Sequence, residues 1–268
     1  ANGAAYSVAE KVYSELGADI TVIGNEPNGV NINDGYGSTH PEKLQEEVVK
    51  QGAFMGLAYD GDADRLIAVD EKGRIIDGDK LICICAKMMK DRKQLAGDIV
   101  TATVMSNIGF HKYINGMGCS VEVTGVGDRY VLESMLKTGS RIGGEQSGHI
   151  IFLNHTTTGD GILSSLQLLQ AVLLSGKKAS ELSDEIEIFP QVLRNARVKN
   201  ENKSIFMDDS EIKDAVAKVE KEIEGSGRLL IRPSGTEPLV RVMLEGQDVA
   251  HITQLAEGLA DILTKRFG

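Results

Sequence analysis

Asp60-Gly61-Asp62-Ala63-Asp64-Arg65 sets three carboxylates at every second position, between the apolar runs Met55-Gly56-Leu57-Ala58-Tyr59 and Leu66-Ile67-Ala68-Val69. On one tight loop such carboxylates repel by roughly 4 kcal/mol per pair at ~4 Å and an effective dielectric of about 20, so the folded loop calls for a cation. Every donor is a hard oxygen, with no His or Cys interleaved, which favours magnesium or calcium over zinc. The plain alternative is a solvated acidic turn between two strands. Calcium has its own case: counted from Asp60, carboxylates fall at loop positions 1, 3 and 5, Ile67 at 8 and Glu71 at 12, the spacing of an EF-hand. Position 6 decides against it, because Arg65 stands where a sharp turn calls for glycine, and the flanking runs are short and strand-like. The expected arrangement is strand, metal loop, strand. An arginine directly after the acidic cluster suits a phosphate ligand on the metal, whose remaining oxygens a guanidinium can hold.

Two further loops carry chemistry. Arg232-Pro233-Ser234-Gly235-Thr236-Glu237-Pro238, with Arg241 nearby, combines two hydroxyls, a glycine and two arginines, the parts of an anion site, with prolines to restrict its backbone. Ser-Gly-Thr is also a common turn. In Gly143-Gly144-Glu145-Gln146-Ser147-Gly148-His149, the glycines permit close approach of a ligand to backbone. Glu145 and Ser147 would share one side of an extended segment and suit sugar hydroxyls. A Gly-rich hairpin with solvated polar residues is the alternative, and His149 reads as a packed bystander rather than a catalytic base. Gly127 and Asp128, in Gly125-Val126-Gly127-Asp128-Arg129-Tyr130, are possible substrate contacts, though Asp128 reads first as the cap of the next helix.

Patterning supplies the elements that must position these loops. A helix over 4–16, a buried strand at 19–23 and a helix over 41–51 precede the metal loop. The opening Ala1-Asn2-Gly3-Ala4-Ala5 looks like a strand-to-helix turn without its strand, as though the chain starts inside a domain. From 77 to about 185 helices are expected at 78–90, 107–115, 127–138 and 160–175, the last capped by Asp160. Strands at 98–104 and 119–124 alternate with them. Such alternation implies a mostly parallel sheet with helices on both faces. From Glu187 a strand over 191–199, a helix over 210–224, strands at 227–232 and 239–245 and a helix over 248–266 suggest a small α+β domain with an antiparallel sheet. The expected fold class is therefore α/β, with mixed, mostly parallel domains at 1–76 and 77–186 and the smaller α+β domain at 187–268, hinged near 186–190.

The chain has 268 residues and a formal net charge of −10, which argues against a nucleic-acid surface and confines phosphate recognition to local sites. Cys83, Cys85 and Cys119 lack metal-pair spacing and read as reduced core residues of a cytoplasmic protein. No run has the length of a membrane span and no signal peptide is visible.

The three loops, in this order, resemble those of the α-D-phosphohexomutase superfamily, and the similarity spans essentially the whole chain. Thr103-Val104-Met105-Ser106-Asn107, Val126-Gly127-Asp128-Arg129-Tyr130 and Gln146 are most similar to bacterial members that interconvert glucosamine 6-phosphate and glucosamine 1-phosphate for cell-wall precursors. Members acting on mannose or glucose phosphates are the near alternative. A non-catalytic calcium or phosphosugar-binding module is the distant one. The resemblance implies a four-domain enzyme of which this chain supplies the end of domain 2 and domains 3 and 4. The N-terminal domain, with its phosphoserine in a Thr-Ala-Ser-His-Asn-Pro loop, is missing, so the fragment alone is expected to be inactive. Ser38-Thr39-His40-Pro41 differs in spacing and lacks the Asn, and is not that nucleophile. By the same resemblance Asp60, Asp62 and Asp64 hold Mg2+, Arg65 supports the phosphoryl group, and Glu145 and Ser147 hold the sugar. Arg232, Ser234, Gly235, Thr236 and Arg241 hold the phosphate that is not transferred. A phosphosugar, its bisphosphate intermediate, and a second copy in a homodimer of the full-length enzyme are the partners the resemblance implies.

Overall fold

A computed structural model describes residues 1–268, which divide into two compact units, Ala1–Glu187 and Ile188–Gly268. In the first unit a 3-10 turn at Ala4–Ser7 and α1 (Ala9–Glu15) replace the single helix expected over 4–16, with the break at Val8. Residues 19–23, expected as a buried strand, form none, and Val22 is exposed. A strand is made by its ladder partner, and no segment of this chain pairs with them. After α2 (Glu42–Gln51), closed by Gly52 in the left-handed conformation, come three short strands. β1 (Gly56–Tyr59), β2 (Leu66–Val69) and β3 (Ile75–Ile76) form an antiparallel sheet in that order. Tyr59 lies opposite Leu66, so residues 60–65 are the hairpin loop.

The middle of the unit is built on α3 (Gly78–Asp91), whose Leu81, Ile82, Cys83, Ile84, Cys85 and Ala86 are all buried. The two thiols are free, and burial pushes that of Cys85 up to about 12, as expected of packing residues. β4 (Ile99–Thr103), α4 (Ile108–Gly116), β5 (Ser120–Thr124), α5 (Asp128–Thr138), β6 (Ile142–Gly144) and β7 (Ile150–Phe152) follow. The sheet order is β5-β4-β6-β7, with β4 parallel to both neighbours and β7 antiparallel to β6. α5 packs on β4, β5 and β6, whereas α3 meets β6 and the helices α4 and α6 (Gly161–Ser175). α7 (Ala179–Asp184) closes the unit. It is tied to the β2–β3 turn by Arg74, which bonds Asp70 and Asp184 at 2.8 and 2.7 Å.

The second unit is an antiparallel sheet of β8 (Gln191–Arg197), β9 (Gly227–Pro233) and β10 (Leu239–Gly246) in the order β8-β10-β9. Alternation along β10 sends Val240, Val242 and Leu244 into a core shared with α8 (Ser210–Glu222) and α9 (Val249–Phe267), where Ile212, Ala256, Leu259 and Leu263 are buried. Arg241, Met243 and Glu245 take the other face. Across both units short polar side chains start the helices. Asp77, Asn107, Asp160, Asp209 and Asp248 each accept a backbone N–H from the first turn of α3, α4, α6, α8 and α9. No helix is long and apolar enough to cross a membrane.

Candidate functional site

The hairpin β1–β2 delivers the three aspartates together, with oxygens of Asp60, Asp62 and Asp64 all within 4.8 Å of one another. Asp60 is buried at 9% exposure, and its Oδ1 accepts the Arg65 N–H at 3.1 Å, which closes the loop on itself. Ala63 sits at a positive φ of 65°, a conformation that costs an L-residue about 1–2 kcal/mol. The Arg65 guanidinium lies 3.7 Å from both Asp60 and Asp64 without hydrogen-bonding either. Burial, and then the neighbouring Asp64 and Asp62 charges, push the Asp60 carboxyl up to about 6, against the pull of the Arg65 N–H.

The donor set fits a small hard cation. Asp64 Oδ1 has neither solvent nor a hydrogen-bond partner, and three carboxylate oxygens within 4.8 Å of one another can share one oxygen-seeking cation. The calcium alternative loses its twelfth-position ligand, because both Glu71 oxygens are taken by Ser180, one by its N–H at 3.2 Å and one by its hydroxyl.

The sugar-loop residues adjoin this loop. Leu66 donates its N–H to Gly148 O at 3.0 Å, and Arg65 and His149 form an antiparallel bridge. Residues 145–149 connect β6 to β7 as a hairpin turn, with Gly148 N–H donating to Glu145 O at 3.0 Å. The segment is therefore not extended, and the expectation that Glu145 and Ser147 share a side by alternation does not hold. A turn sets their directions instead. The glycines differ from expectation too. A Cβ on Gly144 would stand 2.4 Å from His149 O, and one on Gly148 2.1 Å from Leu66 O. Their bareness admits this chain's own backbone rather than a ligand. Asp128 is the first residue of α5 and not its cap; Gly127, at φ 129°, takes that place without a side-chain bond. Its N–H donates to Glu145 Oε1 at 3.1 Å, which brings the two candidate sugar-contacting segments together.

His149 is 4% exposed. Its Nε2 accepts the Gly159 N–H at 3.2 Å and lies 3.6 Å from Asp64 Oδ2, while Nδ1 is buried without a hydrogen-bond partner. Packing is its visible role, as read from sequence. Gln146 turns to the start of α3, where its Nε2 bonds Asp77 Oδ2 at 3.2 Å and its carbonyl accepts the Gly78 N–H at 3.0 Å.

In the second unit Arg232 on β9 and Arg241 on β10 are direct cross-strand partners, on the sheet face away from the helices. Burial first, and then Arg241, lower the Arg232 guanidinium from its ordinary value. Arg241 bonds Glu237 at 3.2 Å. Ser234 is buried, and its hydroxyl accepts the Glu237 N–H at 3.2 Å, while Gly235 and Thr236 are exposed. A Cβ at Gly235 would meet nothing within 4 Å, and its φ is not left-handed, so neither packing nor conformation requires glycine there. Sequence reasoning missed Lys203, which donates to Ser234 O at 2.6 Å from 31 residues away, where no local pattern marks it.

A mixed α/β body that sets a carboxylate loop against a Gly-rich turn is followed by an antiparallel α+β unit with an arginine-bearing loop, and this is the fold class of the phosphohexomutases. Residues 77–189 match the alpha/beta/alpha domain III of phosphoglucomutase/phosphomannomutase, and residues 193–262 match the C-terminal domain of the same family. The chain belongs to that family. It is 54% identical over 266 residues to the phosphoglucosamine mutase of Clostridium acetobutylicum, covering 99% of this chain and 59% of the relative. It is 53% identical over 268 residues to that of Oceanobacillus iheyensis, covering 100% and 60%. The chain thus spans under two thirds of the length of these relatives. In solved structures the fold matches an Aspergillus fumigatus N-acetylphosphoglucosamine mutase, in complex with GlcNAc-6P and magnesium, at TM-score 0.78 and 19% identity over 98% of this chain and 60% of that one. A Burkholderia thailandensis family protein matches at TM-score 0.78 and 21% identity, over 100% and 60%.

Proposed function

We propose that this chain provides the metal, sugar and phosphate loops of a longer enzyme that interconverts glucosamine 6-phosphate and glucosamine 1-phosphate through a sugar bisphosphate. Segments 1–76, 77–186 and 187–268 are its parts, and the phosphorylatable serine lies outside these residues. The observation that carries the proposal is the joining of the metal loop to the sugar loop through Leu66, Gly148, Arg65 and His149.

In this reading Asp60, Asp62 and Asp64 hold Mg2+, which supplies Lewis acidity for charge on the transferring phosphoryl group. Arg65, whose side chain is 42% exposed and approaches Asp60 and Asp64 no closer than 3.7 Å, would turn its guanidinium to phosphoryl oxygens. One Glu145 oxygen is fixed by the Gly127 N–H, leaving the other to accept a sugar hydroxyl beside Ser147. Arg232 and Arg241 clamp the phosphate that stays, with Ser234, Gly235 and Thr236 around it. Because the intermediate must present either phosphate to either place, movement about residues 186–190 would accompany its turn.

The 268-residue chain is expected to show no turnover in a coupled steady-state assay, whereas the full-length protein converts glucosamine 1-phosphate. Substantial activity from the short chain would place the nucleophile within it and overturn this reading. Ranking glucosamine, glucose and mannose phosphates by kcat/KM on the full-length enzyme tests the substrate. A better efficiency with mannose or glucose would reassign it.

A smaller test concerns the seat of the sugar turn. A Cβ on Gly78 would lie 2.1 Å from Glu145 O and 2.8 Å from Gly148 N. Gly78→Ala in the full-length enzyme should raise KM about tenfold by moving Glu145 and Ser147, with overpacking of about 1–3 kcal/mol read as a lowered Tm. An unchanged KM would detach the turn from substrate binding.

A further inference from the structure

The turn that starts α6 packs its backbone against the carboxylate loop. Gly161 donates its N–H to Ala63 O at 2.9 Å, fixing the one loop residue held at positive φ. A Cβ on Gly161 would come within 2.5 Å of Arg65 O and 3.0 Å of Ala63 O. Two residues earlier, Gly159 donates to His149 Nε2, and its own Cβ would fall 2.4 Å from that nitrogen and 2.7 Å from Asp64 O. Neither glycine has a left-handed φ, so their bareness serves close approach and not conformation. Asp160 between them caps α6 through Leu163 N–H at 2.9 Å, and the helix holds the turn rigid.

We infer that Gly159 and Gly161 are positioning residues for metal binding: they form a backbone buttress that holds Ala63, Asp64 and Arg65 in the spacing at which the three aspartates share one cation. The inference rests on the metal reading of the loop and goes beyond it, since neither glycine touches the cation. Without the Gly161 bond the strained Ala63 relaxes, and the carboxylates on either side of it separate.

Mn2+ binding to the 268-residue chain, followed by the electron paramagnetic resonance of the free ion, tests this. Gly159→Ala and Gly161→Ala should each weaken Mn2+ about tenfold or more, the range set by lost outer-shell support of metal ligands. Gly116→Ala is the control, because a Cβ there meets nothing within 4 Å, and it should keep the wild-type affinity. Folded alanine variants that bind Mn2+ as the wild type does would sink the buttress while leaving the metal site intact. A wild-type chain that binds no Mn2+ would sink the metal reading and the buttress with it. Should the variants fail to fold, hydrogen exchange on the wild-type chain decides: Mg2+ should slow exchange of the Gly161 amide about fivefold or more by suppressing opening of its bond to Ala63. An unchanged rate under saturating Mg2+ would overturn the proposal.

Discussion

Asp62→Asn or Asp64→Asn in the full-length enzyme is expected to lower kcat by about a thousandfold or more, since phosphoryl transfer depends on positioning and charge stabilisation rather than on covalent help from the protein. The same substitutions in the 268-residue chain should abolish the rise in Tm given by Mg2+. Asp60→Asn should share the loss of activity and metal binding, yet raise the stability of the metal-free chain. The reason is the partly desolvated carboxyl, pushed up to about 6 from an ordinary value of 3.8 by burial and its two acidic neighbours. A carboxyl raised in the folded state favours folding while protonated. Its contribution is fullest below 3.8 and is lost as pH rises through about 6, above which the ionised group is a constant burden. Asn keeps an oxygen to accept the Arg65 N–H and carries no charge. After discounting for the water that still reaches the loop, the gain at neutral pH is about 1 kcal/mol, or ~2–4 °C in Tm. Scanning calorimetry in EDTA at pH 4 and pH 7.5 measures it, and the difference between wild type and Asn variant should vanish at the lower pH. If Asp60→Asn instead destabilises the chain at pH 7.5, the acidic cluster is a structural network and not a vacant cation seat.

Where a feature depends on neighbours in sequence, it was legible. Asp160 before an apolar helix, alternation through 239–245 and the aspartates at every second position each encode a local geometry, and α6, β10 and the metal hairpin follow them. Features that depend on distant partners were not. The segment 19–23 has the composition of a strand, but composition does not supply a neighbouring strand. The Gly-rich run at 143–148 advertises close approach without saying to what, and the answer lies in Leu66 and His149. Glu145 and Ser147 were placed by an extended backbone where a turn occurs, since both conformations tolerate the same polar residues. Lys203 and Gly159 acquire meaning only through Ser234 and His149, which the chain reaches by folding. The Gly-Asp-Gly around the α6 cap was the one available signal for the buttress, because two glycines beside a good capping residue exceed what a cap needs.

Arg232 and Arg241 give the second large effect. Like charges directly across an antiparallel pair cost about 0.2–1 kcal/mol, a burden the sheet carries without compensation at Arg232, whose guanidinium burial and Arg241 both disfavour. A phosphate dianion bound there, as proposed, would convert that repulsion into a shared attraction. Arg232→Ala in the full-length enzyme should therefore leave Tm unchanged or slightly higher while kcat/KM falls by about 100-fold to 1000-fold, the loss of one or two charge-assisted hydrogen bonds. Arg241→Ala should lose less stability than its ion pair with Glu237 suggests, because that pair is exposed and surface pairs contribute about 0–1 kcal/mol. Lysine is the informative replacement: Arg232→Lys keeps the charge but not the planar fork, and should recover only about tenfold of the lost efficiency. Thermal melts and steady-state kinetics on the same preparations separate the roles. If Arg232→Ala lowers Tm and kcat/KM in proportion, with no change in the midpoint gained from added phosphosugar, the arginine supports the sheet and the phosphate must be held elsewhere.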